Sequence, residues 1–557
     1  MSCSLHRSPL SAAETEIDTI IIGNGPSAMV LSYILHGHVP FYSSETPHPD
    51  SFLHAKLVNA PCLLRSDLDA LTHHFAASRM SYVTQALPVN VLLDTLLRPN
   101  GDTDDLGDVT NLRWEYNPHL KIPHLVLGDA PTPGGLWAVE DPARVSWDIQ
   151  TLSYAGLLSL PGYTFADHYR KVKKVELAPF TRPSRRDLAD YLRDYPAEVG
   201  IKDVFHNGAR VEGIERTEDG FYIHSHGISC KRLVLATGIF SHIIRPPPLL
   251  LPLTQLPGRS TSGAPLLVIG SGFTAADVII STPPDQPILH LFRWDPDNRP
   301  SPLRSGHQQA YPEYAGVYRL MKRAAMSSPG ASAHAKTRKF ASTPFLKSRN
   351  WDEVYEGLAN CEVIDVAIRN GEGTVTLRLP DENGTTIVRR VCGLAYTVGR
   401  RGTLDYLHPS LRAEVLDGAG ELDNGMVTPR TLRNKAMEDL EVAPGVFVIG
   451  SLTGDSLIRY AYGGCVHVAS TLMDTDREQT SSGASTPKRP AGTPTGGQDA
   501  LLNGIDGHGG PVKKICQSDD EANTMNGTKR SPDHQVGSSW IMRKWWNTFV
   551  NIFSSDS

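Results

Sequence analysis

Two stretches of this chain make the same kind of turn, and together they restrict its fold more than any other feature. At Thr19–Leu35 (TIIIGNGPSAMVLSYIL) and again at Leu266–Asp277 (LLVIGSGFTAAD), an apolar strand runs into Gly-x-Gly and then into a helix of small residues. The first glycine of such a unit permits the tight turn. The second lets the backbone approach a pyrophosphate, a small residue three positions on keeps the helix close to the strand, and the helix N-terminus favours the phosphate charge. Gly23, Gly25 and Ala28 fill these positions in the first unit, where Pro26 suits the first helical turn. Gly270, Gly272 and Ala275 fill them in the second, with Thr274 beside Ala275. The expected class is α/β, with two Rossmann-like dinucleotide-binding domains.

The residues past each unit differ in sign. Glu45 follows the expected second strand VPFYSS, about where an acid binds a ribose. Arg293 ends the corresponding strand of the second unit, in HLFRW, where a guanidinium can pair bidentately with a 2′-phosphate. Each residue alone also reads as a solvated surface group. Taken together, the acid in one unit and the base in the other assign FAD to the first and NADPH to the second. A chain that holds both can pass electrons from one to the other.

Other classes are disfavoured by composition. The net charge of −6 and the absence of a Lys/Arg block argue against nucleic acid as a partner. No apolar run is long enough to cross a bilayer. The N-terminus lacks an apolar signal core and has Ser2 where myristoylation needs glycine, so a cytoplasmic protein is expected. The seven cysteines (Cys3, Cys62, Cys230, Cys361, Cys392, Cys465 and Cys516) never fall at C-x-x-C or C-x4-C spacing. That disfavours zinc and the adjacent thiols of a disulfide reductase. The 21 histidines include no H-E-x-x-H, and no metal is expected.

Along the chain, residues 1–15 read as a polar lead. Residues 16–258 are expected to form the first part of an FAD-binding domain, 259–389 an inserted NADPH-binding domain and 390–473 the remainder of the FAD domain. Ser184–Tyr195 predicts an amphipathic helix with Leu188, Tyr191, Leu192 and Tyr195 on one face and Ser184 as its cap. Strands are expected at ARVEGIERT, GFYIHSH, KRLVLATG and PILHLFRW, and as short runs over 362–398 with turns at NGEG and DENG. From about Asp474 to residue 538, Ser, Thr, Gly, Pro and Asp dominate, a composition that predicts disorder. Within the last segment, 539–557, Trp540–Phe553 places Met542, Trp546, Phe549, Val550 and Phe553 on one helical face and Arg543, Lys544, Asn547 and Asn551 opposite. That pattern suits peripheral contact with an intracellular membrane, or docking on the protein's own surface.

An ordered series of motifs resembles a known group. GNGPSA, GGLW (Gly134–Trp137), VLATG (Val234–Gly238), GSGFTAAD and VFVIGSLTGD (Val446–Asp455) occur in the order of two-dinucleotide-domain flavoproteins. GGLW is similar to the flavin-proximal motif of flavin-containing and N-hydroxylating monooxygenases. LLRP, IPHLVLG, LSLPG, YPEY (Tyr311–Tyr314) and GDSLIRYAYGG look like the oxidative-stress-induced growth inhibitor family, itself similar to ornithine N-hydroxylases. The resemblance spans about residues 17–473.

The resemblance implies roles. Gly134, Gly135 and Trp137 would approach the flavin, Asp455 would hydrogen-bond its sugar-like chain, and Gly450 would let the strand before it come close. The implied chemistry is FAD-dependent monooxygenation with NADPH and O2 through a flavin C4a-(hydro)peroxide, acting on a small organic metabolite such as a polyketide. N-hydroxylation of an amino acid or diamine, and a non-catalytic regulatory flavoprotein, are the alternatives. No catalytic acid–base residue is assigned. YPEY reads as a helix start or a substrate contact. One departure is that about 90 residues separate the expected second strand from GGLW, which lies near that strand in flavin-containing monooxygenases.

Overall fold

The structure, a computed structural model, describes residues 17–482 apart from 79–85, 102–108, 140–145, 260–261, 306–310, 328–343 and 370. The polar lead, Cys3, Cys516 and the Trp540–Phe553 segment lie outside the described residues.

β1 (Thr19–Ile22) is buried throughout, and α1 (Pro26–Leu35) follows with Gly25 at its N-cap. Here the chain leaves the expected path. Gly37, at φ +99°, turns it aside, and a Cβ there would lie 2.5 Å from the Asn117 carbonyl oxygen. Asn117 N donates to Gly37 O at 2.7 Å, and Ile122 N donates to Leu35 O at 2.9 Å. The way out and the way back are therefore adjacent, and residues 37–121 form an excursion. It holds β2 (His38–Tyr42), α2 (Ser51–Asn59), α3 (Leu68–Thr72), α4 (Pro88–Leu97) and β3 (Leu112–Tyr116), with β2 and β3 paired antiparallel in a sheet of their own.

The strand beside β1 is β4 (His124–Gly128), parallel in register from Thr19↔His124 to Ile22↔Leu127. This corrects the sequence expectation. VPFYSS does contain a strand, but β4 occupies the second-strand position. GGLW begins six residues after β4 ends at Gly128, not about 90 residues after the second strand.

α5 (Phe165–Lys173) and α6 (Arg185–Glu198) come next. α6 matches the expected helix: the Ser184 side chain accepts from Asp187 N, and Leu188, Tyr191, Leu192 and Tyr195 are fully buried. β5 (Phe205–Asn207) adds to β4. An antiparallel meander follows, β6 (Ile214–Thr217), β7 (Gly220–Ile223) and β8 (Ile228–Cys230), and β9 (Arg232–Leu235) then returns parallel to β1 on its other side.

After β10 (His242–Ile243) the same plan is repeated. β11 (Leu266–Ile269), α7 (Phe273–Ser281), β12 (Ile288–Phe292), α8 (Pro312–Ser327), α9 (Pro344–Lys347), α10 (Trp351–Val354) and β13 (Tyr355–Ala359) build a parallel sheet. The meander β14 (Glu362–Arg369), β15 (Glu372–Arg378) and β16 (Thr386–Val391) leads to β17 (Gly393–Tyr396), which pairs parallel with β11. Along β11, Leu266 and Val268 join one apolar cluster and Leu267 and Ile269 another, as side-chain alternation on a doubly covered sheet requires. YPEY opens α8: Tyr314 is buried and its hydroxyl donates to Asp277 Oδ1 at 2.7 Å, so the motif belongs to the core of the second unit.

β18 (Arg400–Arg401) pairs antiparallel with β10 as the chain re-enters the first unit. α11 (Pro409–Leu416), α12 (Arg433–Glu438), β19 (Glu441–Ala443), β20 (Val446–Val448) and α13 (Ala461–Ser482) complete it. The first sheet has the order β19-β20-β9-β1-β4-β5, the second β13-β12-β11-β17. The second unit is thus inserted into a discontinuous first one. Its boundary lies past β17 rather than at residue 389, because β17 is the strand that closes on β11. α13 also runs beyond Met473 to Ser482, since no glycine or proline interrupts the sequence until Gly483.

Candidate functional site

Four segments converge past the carboxyl ends of β1, β4, β9 and β20, the edge at which open α/β sheets take their ligands. Gly23 sits at φ +112°, and a Cβ on it would lie 2.5 Å from the Ala236 carbonyl oxygen just beyond β9. Glycine is required there by backbone contact alone. Gly25 is different: at φ −84° any residue fits the backbone, and a Cβ would meet nothing within 4 Å. The space beside Gly25 is open. No side chain caps α1, and among the described residues the amides of Asn24 and Gly25 make no hydrogen bond.

The GGLW segment lies directly on this turn. Gly134 N donates to Asn24 O at 2.9 Å, and a Cβ on Gly135 would stand 3.1 Å from Gly25 Cα. Trp137 is half-buried against the first core. Asn24 Nδ2 fastens the loop after β4 through Ala130 O (3.1 Å) and Thr132 O (3.2 Å), and reaches Asn207 Oδ1 of β5 (2.8 Å). Gly450, at φ +67°, brings the chain after β20 against Ser27 in the first turn of α1, where a Cβ would strike the Ser27 side chain. Thr237, after β9, hydrogen-bonds Tyr406 Oη at 3.1 Å. Burial pushes the Tyr406 phenol far up, so it stays protonated.

The second turn repeats the first almost group for group. Gly270 N donates to Leu291 O at 3.0 Å, as Gly23 N does to Leu127 O at 2.7 Å. A Cβ on Gly270, at φ +149°, would fall on the Thr397 carbonyl oxygen, just beyond β17. Gly272 has only a Pro302 side-chain carbon within 4 Å, at 3.8 Å. Its helix also lacks a side-chain cap, and among the described residues the amides of Ser271 and Gly272 make no hydrogen bond. Ala28 and Ala275 are buried at the strand–helix contacts, as the fingerprint requires.

The charged residues are where sequence and structure part. Glu45 is exposed, three residues past β2, on the excursion rather than at the end of a strand beside β1. The acid in that position is Asp129, exposed and immediately after β4. Its signal was in the sequence, an apolar strand ending in Gly-Asp (HLVLGD) shortly before GGLW, but the strand after α1 took its place in the reading. Arg293 is exposed directly after β12, the strand beside β11, where it was expected. Asp455 is 7% exposed. Its Oδ2 accepts from Leu87 N (2.8 Å) and Asn90 Nδ2 (2.7 Å), and its Oδ1 from Arg433 Nη1 (2.7 Å). The protein itself thus engages both oxygens, and Asp455 joins α4 of the excursion to α12.

The five described cysteines form no disulfide. Cys465 is fully buried, its Sγ donating to Ser27 O at 3.3 Å, and burial pushes its thiol well up, so it is not a thiolate nucleophile. No cluster of metal-ligating side chains occurs among the described residues.

Two sheets, the first parallel except for its edge strand β19 and the second parallel throughout, are each headed by a Gly-x-Gly turn and closed through a three-stranded meander; one inserted into the other, they define a two-dinucleotide-domain α/β fold. No family model matches the chain. It is similar over most of its length to the oxidative stress-induced growth inhibitors. It is 28% identical over 519 residues to oxidative stress-induced growth inhibitor 1 of Homo sapiens, covering 84% of this chain and 98% of that protein. With the oxidative stress induced growth inhibitor homolog osgn-1 of Caenorhabditis elegans it shares 24% identity over 510 residues, covering 82% and 94%. Solved structures that resemble it include ornithine hydroxylase from Pseudomonas aeruginosa (13% identity, 83% of this chain and 99% of that one, TM-score 0.44). Another is a flavin-containing monooxygenase from Stenotrophomonas maltophilia (14% identity, 84% and 99%, TM-score 0.40). No described helix is long and apolar enough to cross a membrane.

Proposed function

We propose that the chain is an FAD-dependent monooxygenase that uses NADPH and O2 to oxygenate a small organic molecule. One observation carries the reading. Each unit has a turn whose first glycine is closed in by backbone, whose second borders open space, and whose two amides after the first glycine lack partners among the described residues, beside a helix N-terminus with no side-chain cap. A pyrophosphate would satisfy those amides and fill that space. Two such turns fit one resident and one exchanging dinucleotide.

When bound, the pair supplies the redox chemistry: NADPH provides two electrons through FAD, one oxygen atom of O2 enters the substrate and the other leaves as water. The chain's own residues bind and orient. In this reading Asn24 and Gly25 hold the FAD pyrophosphate by their amides, and Asp129 accepts from the adenosine ribose hydroxyls. Gly134, Gly135 and Trp137 cover the turn and exclude water. Gly270, Ser271 and Gly272 form the NADPH turn, and Arg293 pairs with the 2′-phosphate.

Two substitutions separate the acids. Asp129→Asn should weaken FAD retention about tenfold, the worth of one charge-assisted hydrogen bond, while Glu45→Gln leaves it unchanged. Flavin released on ultrafiltration measures both, and an equal loss from the two variants would reject the assignment. Arg293→Ala should weaken NADPH about tenfold or more and leave NADH within about twofold, because a guanidinium–phosphate pair is lost only with the former. Equilibrium titration of both nucleotides reads the difference.

A second reading, a regulatory flavoprotein that holds its cofactors without turnover, is favoured by the relatives' description as growth inhibitors. NADPH-driven oxygen consumption by the flavin-loaded protein decides between the two. Consumption with an oxygenated product from a screen of polyketides, amino acids and diamines supports the enzyme. Bound flavin with no oxygen use supports the regulator.

A further inference from the structure

His290 is the one charged-type side chain on β12 (ILHLF), a strand buried along its whole length, and it is fully buried itself. Both ring nitrogens are occupied: Nδ1 lies 2.8 Å from Tyr355 Oη, and Nε2 lies 2.7 Å from the carbonyl oxygen of Gly270. A carbonyl can only accept, so Nε2 carries the proton and Nδ1 accepts from the tyrosine hydroxyl. Burial pushes the imidazole down to about 4 and the tyrosine far up, so both stay neutral.

The acceptor is the first glycine of the second turn. In a planar trans peptide the C=O and the following N–H point in opposite directions. A hydrogen bond that draws the Gly270 carbonyl toward β12 therefore turns the Ser271 N–H away from it, to the side where that amide has no partner among the described residues. Among the described residues the Ser271 amide makes no hydrogen bond of its own that would fix this plane, and a glycine, here at φ +149°, has more backbone wells open to it than any other residue.

The first unit supplies an internal comparison. β4 pairs with β1 as β12 pairs with β11, and the residue that matches His290 in register is Val126. There the turn is secured by the Asn24 side chain, and the GGLW segment takes the Asn24 carbonyl. The second turn has Ser271 in the corresponding place; its carbonyl accepts from Ser301 Oγ at 2.6 Å, and the histidine fastens the preceding peptide from below.

We propose that His290, set by Tyr355, is a positioning residue for nicotinamide nucleotide binding: it fixes the Gly270–Ser271 peptide plane so that the Ser271 amide meets the pyrophosphate. The inference rests on the NADPH reading of the second turn. It distinguishes this turn from the FAD turn, which needs no such residue.

The test is equilibrium titration of the FAD-loaded protein with NADP+, alongside FAD content and thermal midpoint. Wild type should bind. His290→Leu should bind at least tenfold more weakly with FAD content unchanged. His290→Gln, whose amide N–H can still reach the Gly270 carbonyl, should recover to within about threefold of wild type. Tyr355→Phe, which frees the tautomer but keeps the ring, should lie between them, and it carries the test if His290→Leu does not fold. Equal binding by wild type and both His290→Leu and Tyr355→Phe would overturn the positioning role. His290→Gln no better than His290→Leu in a folded protein would overturn it as well. Absence of binding by wild type would instead overturn the NADPH reading beneath it.

Discussion

Gly25→Ala should yield a folded protein without flavin, and Gly23→Ala a protein that is damaged before flavin is considered. The two glycines lie two residues apart in one turn, yet they are glycines for different reasons. At Gly23 the backbone is left-handed and an added methyl would stand 2.5 Å from the Ala236 carbonyl oxygen. Strain and displacement of β9 together should cost about 2–4 kcal/mol. At Gly25 the backbone is ordinary and the methyl enters open space, so denaturation should register about 1 kcal/mol or less. That space is where a pyrophosphate would lie, and FAD affinity should fall about 100-fold or more. Chemical denaturation and the flavin content of the purified variants make the comparison. A flavin-replete Gly25→Ala protein would mean that the turn binds nothing at this position.

Asp94→Ala should be the most destabilising single substitution outside the turns, by about 3–5 kcal/mol, because it leaves two buried guanidiniums facing each other. Asp94, on α4 of the excursion, receives Arg459 Nε at 2.9 Å and Nη2 at 2.6 Å, and is also paired with Arg98. Arg459 and Arg98 are 5% and 9% exposed. Removing the acid also breaks one tie between the excursion and the segment that leads into α13, while Asn90 still holds Gly464 N and Asp455. The pH dependence has a definite sign. Burial opposes ionisation of Asp94, but Arg459 and then Arg98 outweigh it and hold the carboxyl below the usual carboxylate range. A folded value below the unfolded one gives stabilisation that is full at neutral pH and is lost as pH falls through the folded value. Wild-type stability should therefore drop in acid below about pH 4, and the Asp94→Ala curve should be flatter there. Urea titrations across that range measure both.

What the sequence revealed was whatever depends on near neighbours. Both Gly-x-Gly turns, the α6 face of Leu188, Tyr191, Leu192 and Tyr195, and the meander of 362–398 are fixed by periodicity and turn chemistry within a few residues. What escaped depends on pairing over distance. β2 has the length and apolar character of a second Rossmann strand, and nothing local tells the chain that β4, more than 80 residues later, will take the place beside β1. Glu45 was set at that strand's end with it, a position the fold gives to Asp129. For Asp455 the family resemblance implied a hydrogen bond to the flavin's sugar-like chain. Its partners Leu87, Asn90 and Arg433 come from the excursion and from α12, so its engagement within the protein could be seen only in the fold. His290 read as one of many scattered histidines, because its meaning lies in a carbonyl twenty residues earlier.

The proposed function requires that two bound dinucleotides exchange electrons across this chain. The most direct test is to mix the FAD-loaded protein with NADPH in the absence of oxygen and follow the flavin absorbance. The oxidised flavin band should bleach with NADPH, bleach much more slowly with NADH, and return when air is admitted. A protein that retains its FAD yet shows no bleaching with either nucleotide would contradict that exchange.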